Sequence, residues 1–486
     1  MPRSILVLLT GTALLMSGCG GGDSSDPADY SPEIEQSERQ LGAEQHPLLL
    51  AEFGGSYDAP EAAYVARIGE TLAAAAGLAG QCKFTLVNSD VVNAFAVPGC
   101  YIYLTRGLMS VVNSEAELAS VLAHEVGHIV ADHSERQQKR SLWRGLGVIA
   151  VGLITQSERL TQLAGAAAGY FTLSYSRKQE FESDDLGIQY LKKAGYDPYA
   201  AADMLGALGR NEQFMARTRG RDEARSIPEW ARTHPLTENR VGRARETAAA
   251  TGVAAEALPE NEARYLREVD GLLYGDDPAQ GFVQGRRFAH PVMRIGFEAP
   301  EGFTLTNSPQ AILIAGPDGL RGEFGGGRMP PGGLQAYASI LLEQVLKGAQ
   351  AEAGAARQTR VNGVPALFVP VRVATQEGEV EMSLAVYAGG GGGAYHFMMV
   401  SSPGQVTAAA IGQLFGSFRL LSEEQVRGLK PREIRVVQAG AGDSLQAMAG
   451  RMASDHPLDH FLMLNGRSPD QPLRPGERVK IVTLAR

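Results

Sequence analysis

His124-Glu125-Val126-Gly127-His128 and, further along, Glu180-Phe181-Glu182-Ser183-Asp184 decide how this chain reads. The first run lies in Glu115–His133, where Leu118, Val121, Leu122, Val126 and Ile129 recur at helical spacing behind Ser114, a natural N-cap. Residues four apart share one helical face, so both imidazoles reach a single metal ion. Neutral imidazole suits Zn²⁺, and two such ligands leave room for a third and for a water. Glu125 lies beside the pair, where a carboxylate takes a proton from that water. The second run reads as part of a helix over Ser176–Lys193, stopped by Ala194-Gly195. Glu180 and Asp184 are again four apart on it, and Glu182 is a second acid of the right type for the third ligand.

Working outward, Phe84–Asn88 and Ala94–Val97 flank Ser89–Asn93 in the pattern of a β-hairpin, with Cys100–Leu104 as a further strand. In that register Cys82 and Cys100 face each other, either as a disulfide or as two buried thiols. Residues 33–80 are mainly helical in pattern. Leu142–Ile154 and Leu160–Phe171 are apolar but too short to span a bilayer, and read as core helices. Asn211–Glu229 is rich in Arg and Glu and reads as a mobile loop. It and Ser134–Tyr175 border the motif helices, so each is a candidate lid.

HEVGH followed by a Glu-x-x-x-Asp helix, with Asn93-Ala94-Phe95-Ala96 and Gly99-Cys100-Tyr101-Ile102 upstream, resembles the HtpX/BepA-like zinc metallopeptidases. These gluzincins also include the type I CAAX prenyl proteases, and the likeness covers residues 33–275. It implies one zinc per chain held by His124, His128 and Glu180, with Asp184 orienting a ligand imidazole and Glu125 as general base. Ser183 stands where the family usually has Ala, and Cys100 where Gly is more usual. Thr233-His234-Pro235-Leu236 with Arg240 resembles a further motif of the family. There His234 acts in catalysis by stabilising an oxyanion, or caps the zinc as a fourth ligand at rest, and Arg240 holds substrate or that histidine. Related folds align substrate along an edge strand, which places Asn93, Ala94 and Phe95 at the substrate. The other histidines (His46, His133, His290, His396, His456, His460) read as structural or surface residues.

The ends add context. Arg3, the apolar run Ile5–Met16 and Met16-Ser17-Gly18-Cys19 resemble a bacterial lipoprotein signal, 1–18, with Cys19 as the lipidated residue and 19–32 as a polar tether. Residue 20 is not Asp, which favours the outer membrane. Residues 285–420 alternate β-like and helical runs without a catalytic constellation. Over 432–486, a strand, Gly442-Asp443-Ser444-Leu445, two helices and a Pro-Gly turn into a strand resemble a βααβ LysM-like module, which implies peptidoglycan docking.

The fold class is therefore α+β: a mainly helical zincin-type peptidase domain, an α+β accessory domain over 285–420 and a small C-terminal unit. The 45 Lys and Arg against 54 Asp and Glu, net charge −9, argue against a nucleic-acid partner. The reading is a lipid-anchored periplasmic zinc endopeptidase acting on misfolded envelope proteins, touching the membrane by its anchor only. The rival is a chaperone or assembly scaffold in which zinc is structural.

Overall fold

A computed structural model describes residues 33–134, 175–218, 229–235, 239–346, 349–375, 378–401 and 405–485. The signal and Cys19, the apolar segments 142–154 and 160–171, and Leu236 lie outside these residues. Elements are numbered over the described chain.

Helix α1 (Gln36–Glu52) precedes α2 (Pro60–Ala75), which opens with Pro at its first position and buries Tyr64, Val65, Ile68 and Leu72. A short α3 (Arg106–Val111) leads to α4 (Glu115–Val130), whose N-cap Ser114 accepts from the Glu117 N–H. Every residue of α4 from Glu115 to His128 is buried, so this is a core helix surrounded on all sides. Its main partner is α5 (Arg177–Ala194), started by a Ser176–Gln179 capping box and stopped by Gly195 at φ 82°. The two helices touch backbone to backbone. A Cβ on Gly127 would lie 2.7 Å from Ser183 Oγ, and one on Gly187 3.1 Å from the His124 nitrogen. The Ser183 hydroxyl donates to the His124 carbonyl. The small residues of both motifs are thus what brings the two helices into register.

The first sheet corrects the hairpin expectation. Strands β1 (Lys83–Val87) and β2 (Ala94–Val97) do not pair with each other; both pair with a central β3 (Tyr101–Thr105), β1 in parallel and β2 antiparallel. Segment 89–93 is taken up by the start of α3, where the Gly107 N–H bonds the Ser89 carbonyl and a Cβ on Gly107 would collide with the Asp90 carbonyl. The hairpin forms instead between β2 and β3 around Pro98-Gly99-Cys100. Cys82 and Cys100 are disulfide-bonded across the β1–β3 pair, with Cα atoms 4.6 Å apart.

Part of the expected loop after residue 211 is helical. Helix α6 (Ala200–Thr218) buries Met204, Leu205, Leu208, Asn211 and Phe214, so the Arg- and Glu-rich positions are the outer face of an amphipathic helix. Residues 219–228 lie outside the described chain. Three short helices follow: α7 (Glu229–Thr233), α8 (Arg240–Ala250) and α9 (Glu262–Glu268).

Beyond β4 (Leu273–Tyr274), two antiparallel sheets dominate to residue 420: β5 (Phe282–Gln284), β6 (Arg287–His290), β7 (Ile295–Glu298) and β16 (Arg419–Leu420) form the smaller, and β8 (Thr304–Asn307), β9 (Ile312–Ala315), β10 (Arg321–Arg328), β11 (Ala351–Ala353) and β12 (Arg357–Val361) belong to the larger. In the larger, β13 (Val364–Thr375), β14 (Gly378–Ala388) and β15 (Gly393–Ser401) are consecutive neighbours. Alternate side chains of β14 feed two cores. Met382, Leu384 and Val386 meet α10 (Gly333–Val345), whereas Ala385 and Tyr387 meet α11 (Gln405–Gly416). After α12 (Glu423–Gly428), the C-terminal segment runs β17 (Arg432–Gln438), α13 (Leu445–Ala449), α14 (Pro457–Leu464) and β18 (Arg478–Leu484), with β17 antiparallel to both β18 and β4. Its Ile434, Phe461 and Val482 share one hydrophobic cluster with Leu118 and Leu122 of α4. The buried Lys480 ammonium donates to the Ser110 and Val112 carbonyls at 2.7 and 2.8 Å.

Candidate metal centre

Helix α4 presents His124 and His128 one turn apart, and α5 lays Glu180 across them. The Nε2 atoms of the two imidazoles are 3.0 Å apart; Glu180 Oε1 is 3.5 Å from His128 Nε2, and Glu180 Oε2 is 3.6 Å from His124 Nε2. His234, just past α7, completes the group, with Nδ1 3.3 Å from His124 Nε2 and 3.1 Å from Glu180 Oε1. These four buried residues offer ligand atoms all within 4.8 Å of one another. Ligand distances of about 2.0–2.1 Å around zinc give a tetrahedron an edge of about 3.3 Å, so the spacing fits one such ion. The chemistry fits as well. His124 Nδ1 lies 2.9 Å from the Asp184 carboxylate, which leaves the lone pair of its Nε2 facing the other three donors, an arrangement a cation relieves.

Arg240, from the start of α8, ties the acids together. Its Nε and Nη2 each donate to Asp184 at 2.8 Å, and its Nη1 lies 2.8 Å from Glu180 Oε2. Burial works to raise both carboxyls, but the guanidinium prevails and holds Glu180 and Asp184 below the ordinary carboxylate range. Arg240 thus stands behind the ligands together with Asp184, holding the two carboxylates.

Glu125 lies beside this group, between His234 and strand β2. Burial pushes its carboxyl up to about 7, against the pull of His124 and of the Ala96 N–H that bonds it. Its Oε1 is 3.5 Å from His234 Nε2. His124, Glu125, His128, Glu180 and His234 are each about 1% exposed, so the centre is closed in this structure. His234 is held in place by stacking on Trp230 at 4.3 Å and by its own N–H, which bonds the Trp230 carbonyl at 2.7 Å.

Strand β2 is a sheet edge beside this centre. The Thr105 N–H bonds the Asn93 carbonyl, so by alternation Asn93, Phe95 and Val97 direct their backbone to β3, and Ala94 and Ala96 direct theirs outward. The Phe95 ring packs between Phe53 and Tyr103 at 4.8 Å from each, away from the edge. The Asn93 side chain is fully buried, and among the described residues neither of its amide atoms has a hydrogen-bond partner.

Reading by residue type missed Tyr175 and Trp230, and set His133 aside as a structural or surface residue. His133 is no surface residue: it is fully buried against His128. Five positions separate the two, so no single helical face joins them. The chain leaves α4 through Asp132 at φ 51°, and that left-handed turn swings His133 back. Glu182, the rival third ligand, contacts His133 rather than the centre. Tyr175 stacks on His128 at 4.0 Å.

Residues 59–248 match Peptidase family M48. Among curated proteins, the chain is 33% identical over 202 residues to the β-barrel assembly-enhancing protease of Yersinia pestis, covering 40% of each chain. It is 34% identical over 174 residues to the protein of that name from Escherichia coli, covering 34% of each. The mitochondrial metalloendopeptidase OMA1 of Arabidopsis thaliana is 34% identical over 125 residues, 26% of this chain and 25% of that one. The matched part therefore spans two fifths or less of these relatives. A solved cyanobacterial PsbP from Synechocystis aligns with 30% of this chain and 98% of its own at 14% identity and a TM-score of 0.24. All the candidate metal ligands, with Glu125, Asp184 and Arg240, lie inside residues 59–248, the segment that matches the M48 family model.

Proposed function

We propose that this chain is a zinc-dependent endopeptidase of the bacterial cell envelope, held by a lipid on Cys19 at the periplasmic face of the outer membrane and acting on misfolded or misassembled envelope proteins. The single observation that carries the reading is the convergence of His124, His128, Glu180 and His234 with a buried carboxylate, Glu125, beside them. A structural zinc needs no such base, which sets the scaffold reading second. The names of the bacterial relatives support an envelope substrate.

The chemistry supplied by zinc bound there is Lewis acidity, which polarises a carbonyl and makes a water easily ionised. Glu125 accepts the water's proton and returns it to the leaving amine. Asp184 holds the His124 imidazole in one tautomer, and Arg240 keeps Asp184 and Glu180 ionised. An extended substrate pairs with the outward backbone of Ala94 and the carbonyl of Ala96, and Asn93 offers its unpaired amide nearby. The closure of the site supports a resting state in which His234 fills the position a water needs. Cleavage then requires His234 and α7 to withdraw.

Zinc content and casein cleavage, measured on the chain beginning after Cys19, test this. One zinc in wild type and in Glu125→Gln, with cleavage only in the former, is the expected result. Zinc in both with cleavage in neither, but cleavage by His234→Ala, places the wild type in the resting state. Absence of zinc from the wild type overturns the reading.

A further inference from the structure

His128 and Glu182 are linked through His133. His133 Nε2 is 3.2 Å from Glu182 Oε2, and His133 Nδ1 is 2.8 Å from His128 Nδ1. An ionised carboxylate only accepts, so the proton between Glu182 and His133 sits on His133 Nε2. A neutral imidazole carries one N–H, which leaves a lone pair on His133 Nδ1. The contact with His128 is then a hydrogen bond only if His128 donates from Nδ1. That in turn leaves the His128 Nε2 lone pair facing His124 Nε2 at 3.0 Å and Glu180 Oε1 at 3.5 Å. His124 reaches the same state by a shorter route, through Asp184 alone.

We propose that His133 and Glu182 are positioning residues of the metal centre: Glu182 sets the tautomer of His133, and His133 sets the tautomer and ring direction of His128 as a ligand. The inference rests on the reading that the four-residue group holds zinc. Each acid of Glu180-Phe181-Glu182-Ser183-Asp184 then has its own place, with Glu180 at the metal, Asp184 behind one imidazole and Glu182 behind the other through a relay. The surroundings hold the relay still. His133 is fully buried, the Gln179 side chain donates to its carbonyl at 3.4 Å, and Tyr175 stacks on the His128 ring at 4.0 Å. Such outer partners of ligand histidines fix ring orientation and raise ligand basicity, and their loss costs about 10- to 100-fold in metal affinity.

The experiment is zinc affinity of the full chain by competition with a chromophoric chelator. His133→Ala and Glu182→Ala should each weaken zinc about 10- to 100-fold. Because Glu182 acts through His133, the double variant should bind no more weakly than His133→Ala alone. His133→Asn, whose side-chain carbonyl can accept from His128, should recover most of the affinity, and only it should restore the wild-type visible bands of the cobalt-substituted protein. Unchanged zinc affinity in His133→Ala, or losses that add in the double variant, would overturn the proposal. Should His133→Ala fail to fold, Glu182→Ala decides alone, since its side chain is partly exposed: weaker zinc supports the relay and unchanged zinc overturns it. A wild type that binds no zinc overturns the four-ligand reading itself. A zinc-binding wild type with unaffected variants overturns the relay only.

Discussion

Arg240 and Asp184 form a two-pronged pair, Nε to Oδ2 and Nη2 to Oδ1, both at 2.8 Å, while the third guanidinium nitrogen reaches Glu180. Both side chains are buried, so neither charge has water to fall back on. Removing one partner of such a pair leaves the other charged and unpaired, at a cost of about 3–5 kcal/mol. Arg240→Ala should lower the stability of the zinc-free protein by that amount in urea unfolding. Arg240→Lys keeps the charge but not the fork, and should rescue little of it.

Glu125→Gln should leave zinc binding intact and lower kcat/KM by about 10²- to 10⁴-fold, the usual contribution of a positioned base. If the proposed resting state holds, His234→Ala is the background in which to measure it, because closure by His234 would hide the effect.

Withdrawal of His234 should separate its ring from Trp230, on which it stacks. The chain has two tryptophans, Trp143 and Trp230. In a Trp143→Phe protein, a peptide that opens the site should therefore change Trp230 emission, and His234→Ala should show the changed emission without peptide. Identical spectra in all three states would argue against the movement.

Acid should loosen the C-terminal unit. His460 bridges Tyr274 and Ser454 at 2.7 and 2.9 Å and stacks on Phe214 of α6. Burial, aided by Arg432, lowers its pKa to about 3 from an ordinary 6.5. Between those values the unfolded chain binds the extra proton. The contribution of neutral His460 is thus fully present above pH 6.5 and is lost as pH falls toward 3. Urea midpoints should drop from pH 6.5 to 4 in wild type, and His460→Gln should flatten that drop.

Deleting 432–486 should leave a peptidase domain that does not fold stably. Ile434, Phe461 and Val482 complete the cluster that holds Leu118 and Leu122, and Lys480 closes the α3–α4 connection. Loss of each large apolar contact costs about 2–5 kcal/mol, so the three together are comparable to the whole stability of an ordinary domain. A soluble, cooperatively melting 33–275 fragment would contradict this.

What the sequence by itself determined is local. Helical spacing put His124 with His128 and Glu180 with Asp184, Ser114 and Gly195 marked where the helices start and stop, and β-like runs announced the strands within 285–420. These follow from backbone geometry within a few residues. The tertiary structure decided what depends on distant partners. Whether Glu180 or Glu182 meets the histidines turns on the backbone contact of Gly127 with Ser183. The role of Arg240 depends on α8 crossing α5, and the parallel β1–β3 pair on α3 displacing segment 89–93. His133 shows the divide most plainly: five residues from His128, it reaches its partner only because Asp132 adopts a left-handed turn and a buried site binds it there. Side-chain spacing records which residues share a face, whereas packing and burial choose which of those faces meet.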